Sequence, residues 1–111
     1  PVIFGDGEQT RDFVYIGDVV EATLLALDRE GAAGEVFNIG TGEVTTINRL
    51  CEIFLELTGK THLKPIYADA KPGDIRHSQA DITKAMKLLG YRPKVSLELG
   101  VRGFLNRAEL P

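Results

Sequence analysis

The sequence predicts an α+β domain: a short β-hairpin, one or two further short strands and about four helices. Three observations predict it. β-Branched and aromatic residues gather near the N-terminus around a glycine turn. Four later segments repeat apolar residues at helical spacing behind capping residues, and glycine or proline punctuates the chain between them. At 111 residues the chain is one small domain or part of a larger one.

Residues 2–4 and 10–16 form the expected hairpin arms, because Gly5-Asp6-Gly7 supplies the positive-φ residues a tight turn needs. In the second arm, alternation puts Arg11, Phe13 and Tyr15 on one face and Asp12, Val14 and Ile16 on the other. Asp18 is expected to cap a first helix, with Glu21 in capping-box relation and Val19, Ala22, Leu25 and Ala26 as the apolar stripe. That helix should end near Gly31 to Gly34. Residues 35–39 read as a buried strand leading through Gly40-Thr41-Gly42 to a second helix after Thr45 or Thr46. This helix has the cleanest periodicity, with Ile47, Leu50, Cys51, Phe54, Leu57 and Thr58 on one face and Gly59 as its stop.

A short strand is expected at residues 65–67, then an irregular loop through Lys71-Pro72-Gly73-Asp74. Asp81 should cap a third helix with Ile82, Ala85, Met86 and Leu89 inward, stopped by Gly90, after which Tyr91-Arg92-Pro93 turns the chain. Ser96 should cap a last helix carrying Leu97, Val101, Phe104, Leu105 and Ala108.

The composition narrows the function. Apolar residues make up 43% and charged residues 26%, which is globular rather than disordered usage. Thirteen basic against 16 acidic residues leave a charge of −3, so no basic field is available to collect a nucleic acid. Cys51 lacks an internal disulfide partner and reads as a core thiol. With neither a signal peptide nor a membrane-length apolar run, a soluble, cytoplasmic protein is expected. The start at Pro1, already in strand-like sequence, reads as a cut from a longer protein.

Several candidate chemistries are weak. Gly40-Thr41-Gly42 has the setting of a dinucleotide fingerprint but lacks its third small residue and its following acid, and reads as a strand-to-helix turn. His62 and His77 are isolated, so no metal site is expected. Ser78 follows His77 directly, without a glycine-flanked nucleophile turn. Arg11 and the loop 71–76 are stronger. A planar guanidinium suits a phosphate, and a carboxylate such as Asp74 can accept from sugar hydroxyls. Equally, Arg11 can pair with a nearby acid while Asp74 caps a turn.

Three blocks, in order, carry a family resemblance: Gly5-Asp6-Gly7-Glu8-Gln9-Thr10-Arg11-Asp12-Phe13-Val14-Tyr15-Ile16-Gly17-Asp18-Val19-Val20, then Val36-Phe37-Asn38-Ile39-Gly40-Thr41-Gly42, then Lys71-Pro72-Gly73-Asp74-Ile75-Arg76-His77-Ser78-Gln79-Ala80-Asp81. Together they resemble the C-terminal, substrate-binding part of extended short-chain dehydrogenases/reductases that are NAD-dependent nucleotide-sugar epimerases and dehydratases. The likeness is nearest to UDP-glucose 4-epimerases and UDP-N-acetylglucosamine 4-epimerases, with dTDP-glucose dehydratases and UDP-glucuronate-processing relatives further off.

The resemblance implies that residues 1–111 are a nucleotide-sugar-binding domain whose N-terminal Rossmann domain lies outside this chain. It implies that Arg11 contacts the diphosphate, that Phe13 lies near the nucleotide ribose, that Lys71 stands where the family has a second phosphate-binding arginine, and that Asp74 binds the ribose. Lysine keeps that charge without the bidentate fork. No catalytic residue and no cofactor site is expected here: NAD belongs to the missing half, as does the Tyr-x-x-x-Lys pair. Tyr67 and Lys71 match that spacing, but a Pro-Gly loop follows where the motif needs a helix. The expected partners are a UDP-sugar and the Rossmann domain, with homodimers a plausible result of the uncovered apolar surface. A dehydratase or other nucleotide-sugar-modifying relative, or a stand-alone binding domain without catalysis, is the alternative.

Overall fold

A computed structural model describes residues 1–108, with side chains to 107. The order is β1 (Val2–Phe4), β2 (Thr10–Arg11), α1 (Ile16–Asp28), a 3-10 turn (Glu30–Ala32), β3 (Thr45–Thr46), α2 (Ile47–Leu57), β4 (Ile66–Ala68), α3 (Thr83–Leu89) and α4 (Leu97–Ala108). Among the described residues, four helices and four short strands make the fold α+β.

The expected hairpin does not form. β1 pairs in parallel with β4, Ile3 opposite Tyr67, while β2 pairs antiparallel with β3, Arg11 opposite Thr45. The glycine turn exists, with Gly5 and Gly7 at φ 81° and 76°, but it carries the chain from one sheet to another instead of folding it back. Buried Gln9 closes this link by donating from Nε2 to the Phe4 carbonyl at 2.9 Å. Residues 35–39 are also no strand: they run alongside α3 without a ladder. Phe37 and Ile39 still pack on the core, whereas Val36 is 80% exposed.

The starts of α2, α3 and α4 and the stops of α2 and α3 lie at or within one residue of their signals, whereas α1 ends at Asp28, short of Gly31. Thr46 Oγ1 accepts from the Arg49 amide at 3.0 Å to cap α2. Ser96 Oγ accepts from the Leu99 amide at 3.3 Å, and Gly90 ends α3 in the left-handed region. Asp81 accepts from the Thr83 amide at 3.0 Å, one residue outside the formal cap of α3. Asp18 is different. α1 begins two residues earlier, at Ile16, so Asp18 lies inside its first turn, 3% exposed, and accepts from the Lys94 and Val95 amides at 3.2 Å each. Glu21 is likewise no capping-box residue: it pairs with Lys94 Nζ at 2.7 Å.

The core joins Ala22 of α1, Ala32, Ile82, Ala85 and Leu89 of α3, and Tyr91. Leu25, Ala26 and Met86 pack against it, as their helical spacing predicts. Ile53 of α2 and Val101 of α4 are buried, and α2 contacts α4 in a separate pair of helices. Phe104 is 62% exposed rather than inward, and the placement expected for the Ala108 side chain lies outside the described residues. The molecule is a slab of 51 × 36 × 20 Å with a radius of gyration of 16.6 Å, above the roughly 13 Å of a compact domain this long. Much apolar surface stays open as a result. Ile16, Val20, Leu24 and Leu27 form a second, exposed stripe on α1. A helix apolar on two faces is one built to be covered twice.

Candidate functional site

The site grows from β2. Thr10 sits between two neighbours: Thr46 of β3 on one side and His77 on the other. The Thr10 amide donates to the Arg76 carbonyl at 2.9 Å and the Ser78 amide donates to the Thr10 carbonyl at 3.1 Å. Thr10 Oγ1 and His77 Nδ1 share a further bond at 2.9 Å. This local ladder carries the loop 71–76 past Arg11, although the two are sixty residues apart in the chain.

Arg11 uses both ends of its fork. One terminal nitrogen donates to the Thr10 carbonyl and the other to Asp74 Oδ1, both at 2.7 Å. Their side chains are 26% and 40% exposed, so the pair lies at a rim rather than in the interior. Asp74 is held in a turn, its amide donating to the Lys71 carbonyl at 3.1 Å across Gly73, whose φ is 80°. The Lys71 ammonium lies over the Phe4 ring, 4.1 Å from its centroid.

The far side of the loop is pinned through Arg76, which donates to both oxygens of Asp6 at 2.7 and 3.0 Å. The Arg76 side chain and the Glu8 amide hold the Asp6 carboxyl down to about 2, and Asp6 in turn raises the Arg76 guanidinium. Asn48 of α2 completes the support, donating to the Asp6 carbonyl at 3.0 Å and to Glu8 at 2.6 Å while accepting from the Tyr67 hydroxyl. A Cβ on Gly7 would lie 1.9 Å from Asn48 Oδ1. The glycine therefore serves close approach as well as its turn. Sequence reading left Asn48 out, and no local signal marks a residue that acts through a turn forty positions away.

Phe13 takes another place. It lines an apolar groove of about 430 Å³ with Tyr15, Phe54, Leu97, Val101 and Phe104, and a smaller cavity of about 240 Å³ with Thr41, Glu43 and Ser96. Neither cavity has Arg11, Lys71 or Asp74 in its wall. Alternation had placed Arg11 and Phe13 on one strand face, but the strand ends at Arg11. The geometry thus brings Arg11 and Asp74 together at one rim, with the Lys71 backbone in the same turn but its ammonium over Phe4, and with Phe13 two residues beyond Arg11.

Asp12, next to Arg11, explains the divergence. Its Oδ1 accepts from the Thr41 amide at 2.9 Å and the Thr41 hydroxyl at 2.6 Å, and its Oδ2 from the amides of Gly42 at 2.9 Å and Ala80 at 3.3 Å. Burial pushes this carboxyl up, but these hydrogen bonds outweigh it and leave it below its ordinary value. The same contacts decide the glycine turn. Backbone amides of Thr41 and Gly42 already face a carboxylate, so the turn does not fit a dinucleotide phosphate, whose charge would meet that of Asp12.

Cys51 is half-buried on α2, and Tyr67 lies on β4 rather than on a helix. No helix among the described residues is long and apolar enough to cross a membrane.

Comparison with known proteins fits this architecture. The family profile for GDP-mannose 4,6-dehydratase matches residues 1–104. The UDP-glucose 4-epimerase of Thermotoga maritima, solved with UDP-glucose, superposes with a TM-score of 0.88 at 46% identity, over 96% of this chain and 35% of that one. The UDP-glucuronic acid 4-epimerase of Bacillus cereus, solved with UDP-glucuronic acid and NAD, gives 0.86 at 37% identity, over 96% and 35%. The UDP-glucuronate 4-epimerase of Thermodesulfobacterium geofontis is 40% identical over 105 residues, which are 94% of this chain and 32% of that protein. The chain spans about a third of the length of the relatives it matches and corresponds to a C-terminal part of the epimerase fold. By the extent of these matches, the chain belongs to the GDP-mannose 4,6-dehydratase family of NAD-dependent nucleotide-sugar epimerases and dehydratases, within the extended short-chain dehydrogenases/reductases.

Proposed function

We propose that residues 1–111 are the nucleotide-sugar-binding domain of an NAD-dependent UDP-sugar 4-epimerase, recognising substrate while a separate dinucleotide-binding domain supplies the chemistry. The observation that carries this reading is the Arg11 guanidinium, fixed at the rim by β2 and set against the loop 71–76. Arg11 is assigned the diphosphate, which its planar fork can meet with two parallel hydrogen bonds. Lys71 adds a second positive charge on the same loop. Asp74 is assigned the ribose, whose hydroxyls donate to a carboxylate. NAD, when bound to the whole enzyme, takes and returns a hydride at the sugar. Every residue named here binds or orients, and none moves a proton.

Two features of the surface favour a larger parent. β1 and β4 are a two-stranded parallel sheet with Val2 and Ile66 exposed, whereas parallel sheets are ordinarily covered on both faces. The open stripe on α1 supplies an apolar surface for the dinucleotide-binding domain to cover.

Calorimetric titration with UDP tests the assignment. The chain should bind UDP weakly, because only part of the pocket is present. Arg11→Ala should lower that affinity about tenfold or more, as expected on losing a charge-assisted pair. Unchanged affinity in Arg11→Ala refutes the phosphate role.

A further inference from the structure

We infer that Asp74 is a specificity-determining residue: by occupying the Arg11 guanidinium it disfavours phosphate anions that lack a ribose diol, and it admits nucleoside diphosphates. The inference rests on the reading of Arg11 and Asp74 given above and adds the competition between them.

Without ligand the two side chains are joined at 2.7 Å, and the other end of the Arg11 fork is spent on the Thr10 carbonyl. An incoming phosphate therefore meets a guanidinium whose charge Asp74 already balances, although three of its five N–H groups stay unpaired among the described residues. The nearby cations are also engaged: Arg76 by both oxygens of Asp6, and Lys71 over the Phe4 ring. The loop cannot simply carry Asp74 away, because Arg76 and His77 anchor its end to Asp6 and Thr10. Asp74 must be displaced locally, as a side chain.

The consequence differs between ligands. A bare pyrophosphate takes Arg11 from Asp74 and leaves a carboxylate beside a new anion, with nothing donating to it. A nucleoside diphosphate makes the same exchange, but its vicinal hydroxyls donate to the freed carboxylate. The ion pair thus opposes both ligands and the ribose compensates for one. The pair is partly exposed, so the discrimination it exerts is modest.

The test is calorimetric titration of the chain, Asp74→Asn and Arg11→Ala with inorganic pyrophosphate and with UDP, after circular dichroism shows the same helix content in all three. Asp74→Asn should bind pyrophosphate about three- to fivefold more tightly than the unaltered chain, and UDP no more tightly, so that the preference for UDP narrows. Pyrophosphate affinity that is unchanged, weaker or undetectable in Asp74→Asn overturns the inference, as does a gain of equal size for UDP. The two readings fail separately. If Arg11→Ala keeps its UDP affinity, the phosphate assignment falls and the inference with it. If Arg11→Ala loses UDP while Asp74→Asn gains no pyrophosphate, only the competition is wrong.

Discussion

Replacing Asp12 by asparagine should unfold this chain more readily than any comparable change at its surface. Both carboxylate oxygens are used: Oδ1 by the two donors of Thr41, Oδ2 by the amides of Gly42 and Ala80. An asparagine keeps one acceptor and turns an NH₂ toward two donors. Two charge-assisted bonds are lost and two groups are left facing a donor. Hydrogen bonds to charged groups contribute about 1.5–3 kcal/mol each, and the site is half-buried, so water replaces part of the loss. The expected cost is about 2–4 kcal/mol, or a fall in Tm of roughly 8–16 °C for a chain of this size.

The pH dependence gives a second readout. The folded carboxyl lies below its ordinary value of 3.8, so the unfolded chain takes up the proton first. The stability contributed by the charge is fully present above about pH 5 and is lost as pH falls through the unfolded value toward the folded one. Urea unfolding of both proteins at pH 7 and pH 3 should show a wide gap that narrows on acidification. A loss under about 1 kcal/mol at pH 7, or a gap that stays constant down to pH 3, would refute the assignment of Asp12 as the charged tie between three segments.

Two further outcomes can be checked. Tyr91 is fully buried and donates to the Gly40 carbonyl at 2.8 Å, so Tyr91→Phe should cost about 1–2 kcal/mol in urea unfolding by leaving that carbonyl unpaired. Carboxyl-carbon NMR should find Asp6 titrating near about 2, and Arg76→Ala should move its midpoint up toward the ordinary range.

Where sequence and structure part, a local pattern was asked for non-local information. Helix starts and stops are written in residues within four of one another, so Ser96 and Gly90 could be read directly and the start of α2 narrowed to Thr45 or Thr46. Strand pairing is not local. Gly5-Asp6-Gly7 encodes a turn, and nothing in it says whether the next strand returns to β1 or passes to β3. Residues 35–39 have strand composition for the same reason that they lack a ladder here: composition reports burial of Phe37 and Ile39, not the presence of a neighbour. In the candidate site, the residue types of Arg11 and Asp74 were legible but their pairing was one of two open readings.

Asp12 and Asp18 are carboxylates whose partners lie far along the chain. Alternation groups Asp12 with the apolar Val14 and Ile16, but the strand stops at Arg11 and Ile16 is exposed, so that face is no core face. A carboxylate half withdrawn from water still needs donors to keep its charge. Gly40-Thr41-Gly42, whose glycine-rich backbone offers such donors, is the supplier within this chain. The loop that looked like an anion cradle is one, and its anion is Asp12. The same demand at Asp18, on the buried side of α1, is met by the Lys94 and Val95 amides just before α4. These two acids therefore do for the architecture what Arg11 is proposed to do for the ligand. They hold opposite charge or dipole at a fixed place, whereas the Arg11–Asp74 pair lies at a partly exposed rim where a substrate can compete for it.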